Sequence, residues 1–436
     1  MAGGTWTSQN QQRPGAYINV RSSGGVGQST AETGIASLPL SVNWGPESAI
    51  IAVDGSTNIY NIFGTDLADQ QLAPLREALK RAATVLVYRV SKGTKATATA
   101  APLTATAKHG GTRGNDLKVE VKASLAQPGK MDVITFLGTN QVDIQTVADS
   151  KDLKANEFVV FTGTGKPVAT AGTSLAGATD TAATSGDYGA YFEALQLHDF
   201  NTIALPVADE AIKILGVNFA KRMRNEEGKK CQVVVANYNA DSEAVINVKN
   251  GVILADGKTV DAALATAWVA GATAAAAMNE SLTYSAYDGA VDVSERYTST
   301  QIKEALRAGE FVFVEKRGAA VVEQDINSLV TFTPEKNQGF SKNRVMRVVD
   351  GVANDSKQTF EDNYIGKVTN NVDGRELFKA DRIEYFNGLQ AISAIEAFDS
   401  EELTIEAGAT KDSVVMNVAI MPTDAMEKLY MTVEVQ

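Results

Sequence analysis

Apolar and polar positions alternate at both ends of the chain. Near the start the run is Pro14-Gly15-Ala16-Tyr17-Ile18-Asn19-Val20, and the last residues are Leu429-Tyr430-Met431-Thr432-Val433-Glu434-Val435-Gln436. A period of two is the pattern of a half-buried strand. A chain end is normally polar and frayed unless something holds it, so these ends predict extended arms held by another copy of the chain. Tyr17, Ile18, Val20, Leu429, Met431, Val433 and Val435 are the residues expected in those contacts. Residues 1–22 could reach on the order of 70 Å at ~3.3 Å per residue, and the Gly/Ser run Ser22–Gly34 reads as a flexible hinge.

Between the arms the pattern divides into blocks. Strands are predicted at Ile35–Val42, Ala49–Val53 and Val85–Val90, with a helix over Leu67–Ala82 that places Leu67, Leu72, Leu75 and Leu79 near one face. Residues 91–107 and 162–186 are rich in Thr and Ala and read as linkers. They flank strand candidates Leu117–Val121, Val133–Leu137 and Phe158–Phe161, which predicts an inserted β-rich domain. From Tyr188 helices and strands alternate: helix Tyr188–Leu197, strand Thr202–Leu205, helix Ala208–Asn225, strand Gln232–Ala236, an Ala-rich helix over 260–278, and strand Phe311–Glu315. A further helix opens at Thr298 with Gln301 three residues on, a capping-box spacing, and stops at Gly309. This alternation predicts an α/β layer. Helices at 356–369 and 374–397 follow. Strands Val414–Ile420 and Leu429–Val435, separated by Met421-Pro422-Thr423-Asp424, are expected to form a closing ribbon.

At 436 residues the chain is long enough for roughly two to four domains. A net charge of -12 with no polybasic block argues against gripping phosphate backbones, so no direct nucleic-acid partner is expected. The lone Cys231 lies in an apolar run and reads as a small buried hydrophobe. No basic segment followed by an apolar one opens the chain, so no signal peptide is expected. The apolar stretch Ala262–Ala277 falls short of the ~20 residues that span a bilayer, and no membrane insertion is expected.

Candidate chemistry is sparse. The two histidines, His109 and His198, lack metal-ligand spacing and read as structural. Gly172-Thr173-Ser174-Leu175-Ala176 matches the local serine motif of subtilisin-like proteases, but a triad needs a rigid turn with histidine and carboxylate in reach. Ser174 instead falls in a Thr/Ala/Gly segment. Gly163-Thr164-Gly165-Lys166 lacks the first glycine of a P-loop, where Val160 stands, and the hydroxyl residue after the lysine, where Pro167 stands. Gly24-Gly25-Val26-Gly27 has no strand-to-helix context and reads as hinge. No catalytic residue, cofactor or metal is assigned. The charged run Arg375–Arg382 is spaced as a helix face, which is either a solvated surface or a partner-facing one.

Five segments resemble the tail sheath proteins of contractile-tailed bacteriophages, above all the short type of Gram-positive phages, prophages and phage-tail-like bacteriocins. They are Gly4-Thr5-Trp6 with Arg13–Ile18; Gly111–Leu117; Thr266–Gly271 with Asn279–Thr283; Thr298–Val314 with Asp325–Phe332; and Phe378–Phe386. The resemblance implies an α/β (α+β overall) fold: a sheath core with a subtilisin-like non-catalytic α/β domain, an inserted β-rich outer domain and extended terminal arms. The implied division is 1–22 arm, 23–96 first part of the core, 97–186 inserted domain, 187–335 α/β domain, and 336–436 C-terminal domain ending in an arm from about 413. It implies hexameric rings stacked into a helical polymer around a tail tube protein, with baseplate and tail terminator proteins as further partners. The polymer would form in the bacterial host cytoplasm, belong to a virion tail or tail-like particle, and contract to drive the tube through an envelope. Arg375, Lys379 and Arg382 then become the candidate tube-facing positions. The alternative is a soluble hydrolase with a subtilisin-like domain; a surface adhesin is a third reading.

Overall fold

In the computed structural model of the chain, residues 34–435 are described throughout, together with the backbone of two short segments, Ala2–Gly4 and Gly15–Tyr17. Those two segments pair in parallel, Ala2 opposite Gly15 and Gly4 opposite Tyr17. Ile18, Val20 and the Gly/Ser hinge lie outside the described residues. The chain forms two compact units: residues 1–37, 77–84 and 199–436, and residues 38–76 and 85–198.

The first unit is built on a parallel sheet. Its strands run in the order Glu310–Phe311, Val245–Val248, Gln232–Ala236, Thr202–Ala204 and then Ile35–Leu40. Strands buried on both faces need continuous apolar runs, and Gln232–Ala236 is buried at every position. Helix Glu210–Asn225 starts at Asp209, whose side chain accepts from the Ala211 amide at 2.8 Å. It buries Ile212, Gly216, Val217, Phe219, Ala220 and Met223, the spacing of an amphipathic helix. Helix Ala262–Ala275 is buried almost all round, and Trp268 stacks on Tyr287 at 4.6 Å. Small residues let it approach the chain closely: a Cβ on Gly271 would lie 2.4 Å from the Ala78 carbonyl oxygen. Helix Ser299–Arg307 carries the expected capping box between Thr298 and Gln301.

The C-terminal part of this unit differs from the pattern-based expectation. The first helix runs Asn343–Thr359, ahead of the predicted 356–369, and passes into a π-turn at Phe360–Tyr364. Val345, Met346, Val348, Val352 and Ala353 supply its apolar stripe, which Asp350 and Gly351 visually interrupt. The second helix spans Val372–Ala391. Val414–Val418 pairs with Leu403–Ala407, and the predicted ribbon with Leu429–Val435 does not form.

In the second unit, residues 85–89 and strand Ile50–Asp54 are neighbouring strands. The predicted helix over Leu67–Ala82 is shortened to Ala73–Leu79, preceded by a single 3-10 turn at Gln70–Leu72 capped by Asp69. Pro74 near its first turn marks the start. Two sheets form a sandwich. One has the order Asn140–Val147, Met131–Leu137, Leu117–Ala123, Thr170–Ser174; the other has Val159–Gly163, Leu103–Ala107, Thr97–Ala100. The supposed Thr/Ala linkers therefore contain strands. Leu103, Ala105 and Ala107 alternate inward toward Trp44, Val133 and Phe158. Helix Ser185–Leu195 starts three residues earlier than predicted because Thr184 and Asp187 close a capping box.

Candidate functional site

The motifs that suggested chemistry are used for folding. In the turn Lys108–Asn115, a Cβ on Gly111 would lie 2.1 Å from the Asn43 carbonyl oxygen, and one on Gly110 2.1 Å from that of Gly93. Only glycine allows these crossings. Buried Arg89 ties the crossing together by donating to Gly45 O at 2.8 Å and Gly110 O at 2.9 Å. Asn115 makes two 3.0 Å bonds with the backbone of Ala178. His109 meets Trp44 edge-on at 5.3 Å. Burial, helped by Lys108 and Arg89, lowers its pKa to about 4, so it is neutral at pH 7. The His198 amide donates to Leu195 O at the end of its helix.

Ser174 is the exposed last residue of an edge strand, opposite Lys118, rather than a linker residue. The Gly165 amide donates to Asp149 at 2.9 Å, and a Cβ on Gly163 would lie 2.0 Å from Pro102 O. That loop binds its own carboxylate. Cys231 is buried, and burial pushes its thiol up to about 12, which keeps it protonated and inert. Among the described residues there is no group of three or more His, Cys, Asp or Glu placed to hold a metal ion. No helix among them is long and apolar enough to cross a membrane.

The run Arg375–Arg382 lies on helix Val372–Ala391, but its basic residues do not share an outward face. Arg382 is buried and pairs with Asp355 at 3.1 Å, with its guanidinium 4.6 Å from the Tyr385 ring centre. It is an internal tie, which corrects its assignment to a tube-facing surface. Arg375 is half-buried and donates to Asn370 at 2.9 Å; Lys379 is half-buried. The exposed positions are Val372, Asp373, Glu376, Leu377, Ala380, Glu384, Asn387, Gln390 and Ala391, so the charged side chains on the outward face are acidic rather than basic. Sequence spacing alone could not separate the arginine that pairs inward from those at the rim.

The C-terminal tail presents the clearest unsatisfied surface. Leu429, Met431, Val433 and Val435 are 87%, 75%, 70% and 93% exposed. They alternate along a segment that pairs with no described strand, and Tyr430 between them is exposed too. Large apolar side chains in a row on a surface mark an interaction site. The hairpin Leu403–Ala407 with Val414–Val418 is a two-stranded sheet, so each of its strands has an outer edge without a strand partner among the described residues. Such edges template the addition of a further strand.

Comparison with known proteins agrees across the chain. Residues 33–90 match the tail sheath protein Gp18 domain III N-terminal region, 91–180 the phage tail sheath protein beta-sandwich domain, 181–328 the phage tail sheath protein central domain, and 335–436 the phage tail sheath C-terminal domain. The phage-like element PBSX protein XkdK of Bacillus subtilis is 38% identical, with all of both chains covered. The crystal structure of a sheath tail protein from Desulfitobacterium hafniense is 47% identical, covers 97% of this chain and 100% of its own, and superposes with a TM-score of 0.83. The contracted helical sheath of the anti-feeding prophage shares the fold at 14% identity, with a TM-score of 0.58 over 98% of this chain and 100% of that one. The chain has the α/β fold expected of it and belongs to the phage tail sheath protein family.

Proposed function

We propose that this structural sheath subunit polymerises as stacked hexameric rings around a tail tube and contracts to drive the tube through a bacterial envelope. The observation that carries this reading is that one chain holds both an exposed apolar C-terminal tail and a hairpin whose outer edges have no strand partner among the described residues. Strand addition ties subunits through main-chain hydrogen bonds while leaving the bodies free to turn. Head-to-tail contacts that do not close on themselves build a helix. Burying four apolar side chains at ~1.5–3 kcal/mol each provides the gross attraction, from which the ordering of the tail subtracts.

The N-terminal arm, including Tyr17, Ile18 and Val20, is assigned the same role on a second neighbour. The five-segment division, with the inserted 97–186 domain outermost and the C-terminal domain inward, is part of this reading. So are the tail tube, baseplate and terminator proteins as partners, assembly in the host cytoplasm, and a place in a virion tail or tail-like particle. The outward acidic side chains of helix Val372–Ala391 replace the basic ones as the face offered to the tube. We assign no enzymatic activity, in keeping with a family of structural proteins, and nothing about exposed Ser174 favours hydrolysis. Contraction needs no nucleotide: at ~25 cal/mol per Å² of apolar area, a few hundred Å² gained per subunit gives several kcal/mol gross.

Negative-stain electron microscopy of the purified protein with its tube protein tests the reading. Striated cylinders around the tube are expected from the full chain, and dispersed particles from chains lacking residues 429–436 or residues 2–18. Full-length-like cylinders from both deletions would remove the arm mechanism.

A further inference from the structure

The exposed tail has a firmly held root. Glu427 accepts hydrogen bonds from Thr283 Oγ1 at 2.8 Å and Gln324 Nε2 at 2.6 Å, and it pairs with the Lys342 ammonium. Its side chain is 11% exposed, and two residues later the chain emerges fully into solvent at Leu429. Lys342 also lies 3.6 Å from Asp424. Just upstream, Thr423 Oγ1 donates to Ser393 O at 2.7 Å, and the Arg344 guanidinium donates to Thr423 O.

The polar contacts continue inward from Glu427. The Asp325 amide donates to Thr283 Oγ1 at 3.0 Å. The buried Asp325 carboxylate accepts from Leu282 N at 3.0 Å, Asn343 Nδ2 at 2.9 Å and Arg347 at 2.8 Å. Gln232 Nε2 donates to Asn343 Oδ1 at 3.1 Å, and Gln232 opens a central strand of the parallel sheet. A continuous run of hydrogen bonds thus joins the tail root to the sheet, and side-chain networks in a low-dielectric interior hold their members in place.

We infer that Glu427 is the anchor at which tension on the C-terminal tail enters the body of the subunit, and that it fixes where the free strand begins. The inference about tension rests on the sheath reading; the inference about the fixed point does not. A strand held at residue 427 reaches its neighbour from a fixed starting point. Released there, the slack would extend back to the Pro422–Thr423 contacts, and ring spacing would lose its definition.

The test uses the full-length chain and two variants, Glu427→Gln and Lys342→Met. In the isolated subunit, hydrogen exchange of the Thr423 and Asp325 amides, which donate to Ala394 O at 3.1 Å and Thr283 Oγ1 at 3.0 Å, and trypsin cleavage after Lys428 are each expected to rise at least tenfold in both variants, with unchanged circular dichroism. The double exchange Glu427→Lys with Lys342→Glu should restore protection. In polymers formed with the tube protein, both variants should give irregular ring spacing where the parent gives a sharp layer line. Unchanged exchange and cleavage would overturn the anchor. Changed exchange with parent-like ring spacing would overturn its mechanical role. Failure of the parent chain itself to polymerise would overturn the sheath reading, and the exchange data on the subunit would still decide the fixed point.

Discussion

Arg224 and Asp350 meet through two hydrogen bonds of 2.6 and 2.8 Å, and both side chains are almost wholly buried. Burial lowers the Arg224 pKa, but the Asp350 charge and hydrogen bond outweigh it and hold the guanidinium charged. Removing one partner of such a pair strands the other charge in the interior. Asp350→Ala should therefore cost about 3–5 kcal/mol, read from urea unfolding, whereas replacing both with apolar residues of similar size should cost far less. His109 gives a pH signature. The folded protein keeps it neutral down to about pH 4, while the unfolded chain takes up a proton near 6.5. Unfolding binds a proton between those values, so stability falls as pH drops through that window. His109→Phe should flatten this slope relative to the parent, seen as a smaller loss of melting temperature between pH 7 and pH 5. Glu427 shifts in the same direction as His109, but here the folded state favours the charged form. Burial raises its pKa, but Lys342, Gln324 and Thr283 together bring it below the usual carboxylate range. Its contribution is present above the ordinary glutamate value and is lost only as pH falls through the lowered one, so protection of the Thr423 amide should persist at pH 5.

At the scale of elements, close packing of the Ala-rich helix is the most exposed to a small change. Gly271→Ala would place a methyl against the rigid Ala78 carbonyl. An expected loss of about 1–3 kcal/mol follows, measurable as an earlier denaturant midpoint with unchanged slope. The strands and helices around that packing were legible in the sequence where hydrophobic contrast is strong. Gln232–Ala236 and the stripe of Glu210–Asn225 declare themselves, and Thr298 with Gln301 marks a helix start on capping chemistry alone. Legibility failed where contrast is weak. In Thr97–Ala100 and Leu103–Ala107 the inward residues are mostly alanine, which differs little from threonine in pattern, so strands read as linkers. Alternation at Leu429–Val435 suggested a strand paired with Val414–Ile420, but Val414–Val418 pairs with Leu403–Ala407, and period alone does not name a partner. For the same reason Arg382, one of three basic residues on a charged helix, could not be recognised as the one whose carboxylate partner waits on the preceding helix.

For the whole molecule, the tail can be separated from the stability of the body. Residues 429–435 are exposed, and truncation after Lys428 should leave the melting temperature of the subunit within about 2 °C of the parent, since surface changes away from packed features usually stay within ±0.5 kcal/mol. A drop of many degrees in calorimetry would mean that the tail packs against its own body. The family and the broad α/β architecture were readable from five segments in their order. The tail root was not, because Thr283, Gln324, Lys342 and Glu427 are distant in sequence and no local pattern links them.

The hairpin of residues 403–407 and 414–418 has one more implication. A chemist would count functional groups: one donating tail and one accepting edge make a bifunctional monomer, which grows a thread. A two-stranded sheet has two edges, and the N-terminal arm proposed above is a second donor, so the functionality rises to four. Monomers with two donors and two acceptors can close networks, in which cutting any single link leaves every unit still connected by another route. A wall of such subunits would tolerate the loss of individual joints while changing its dimensions, as a woven fabric does and a stack of separate rings does not.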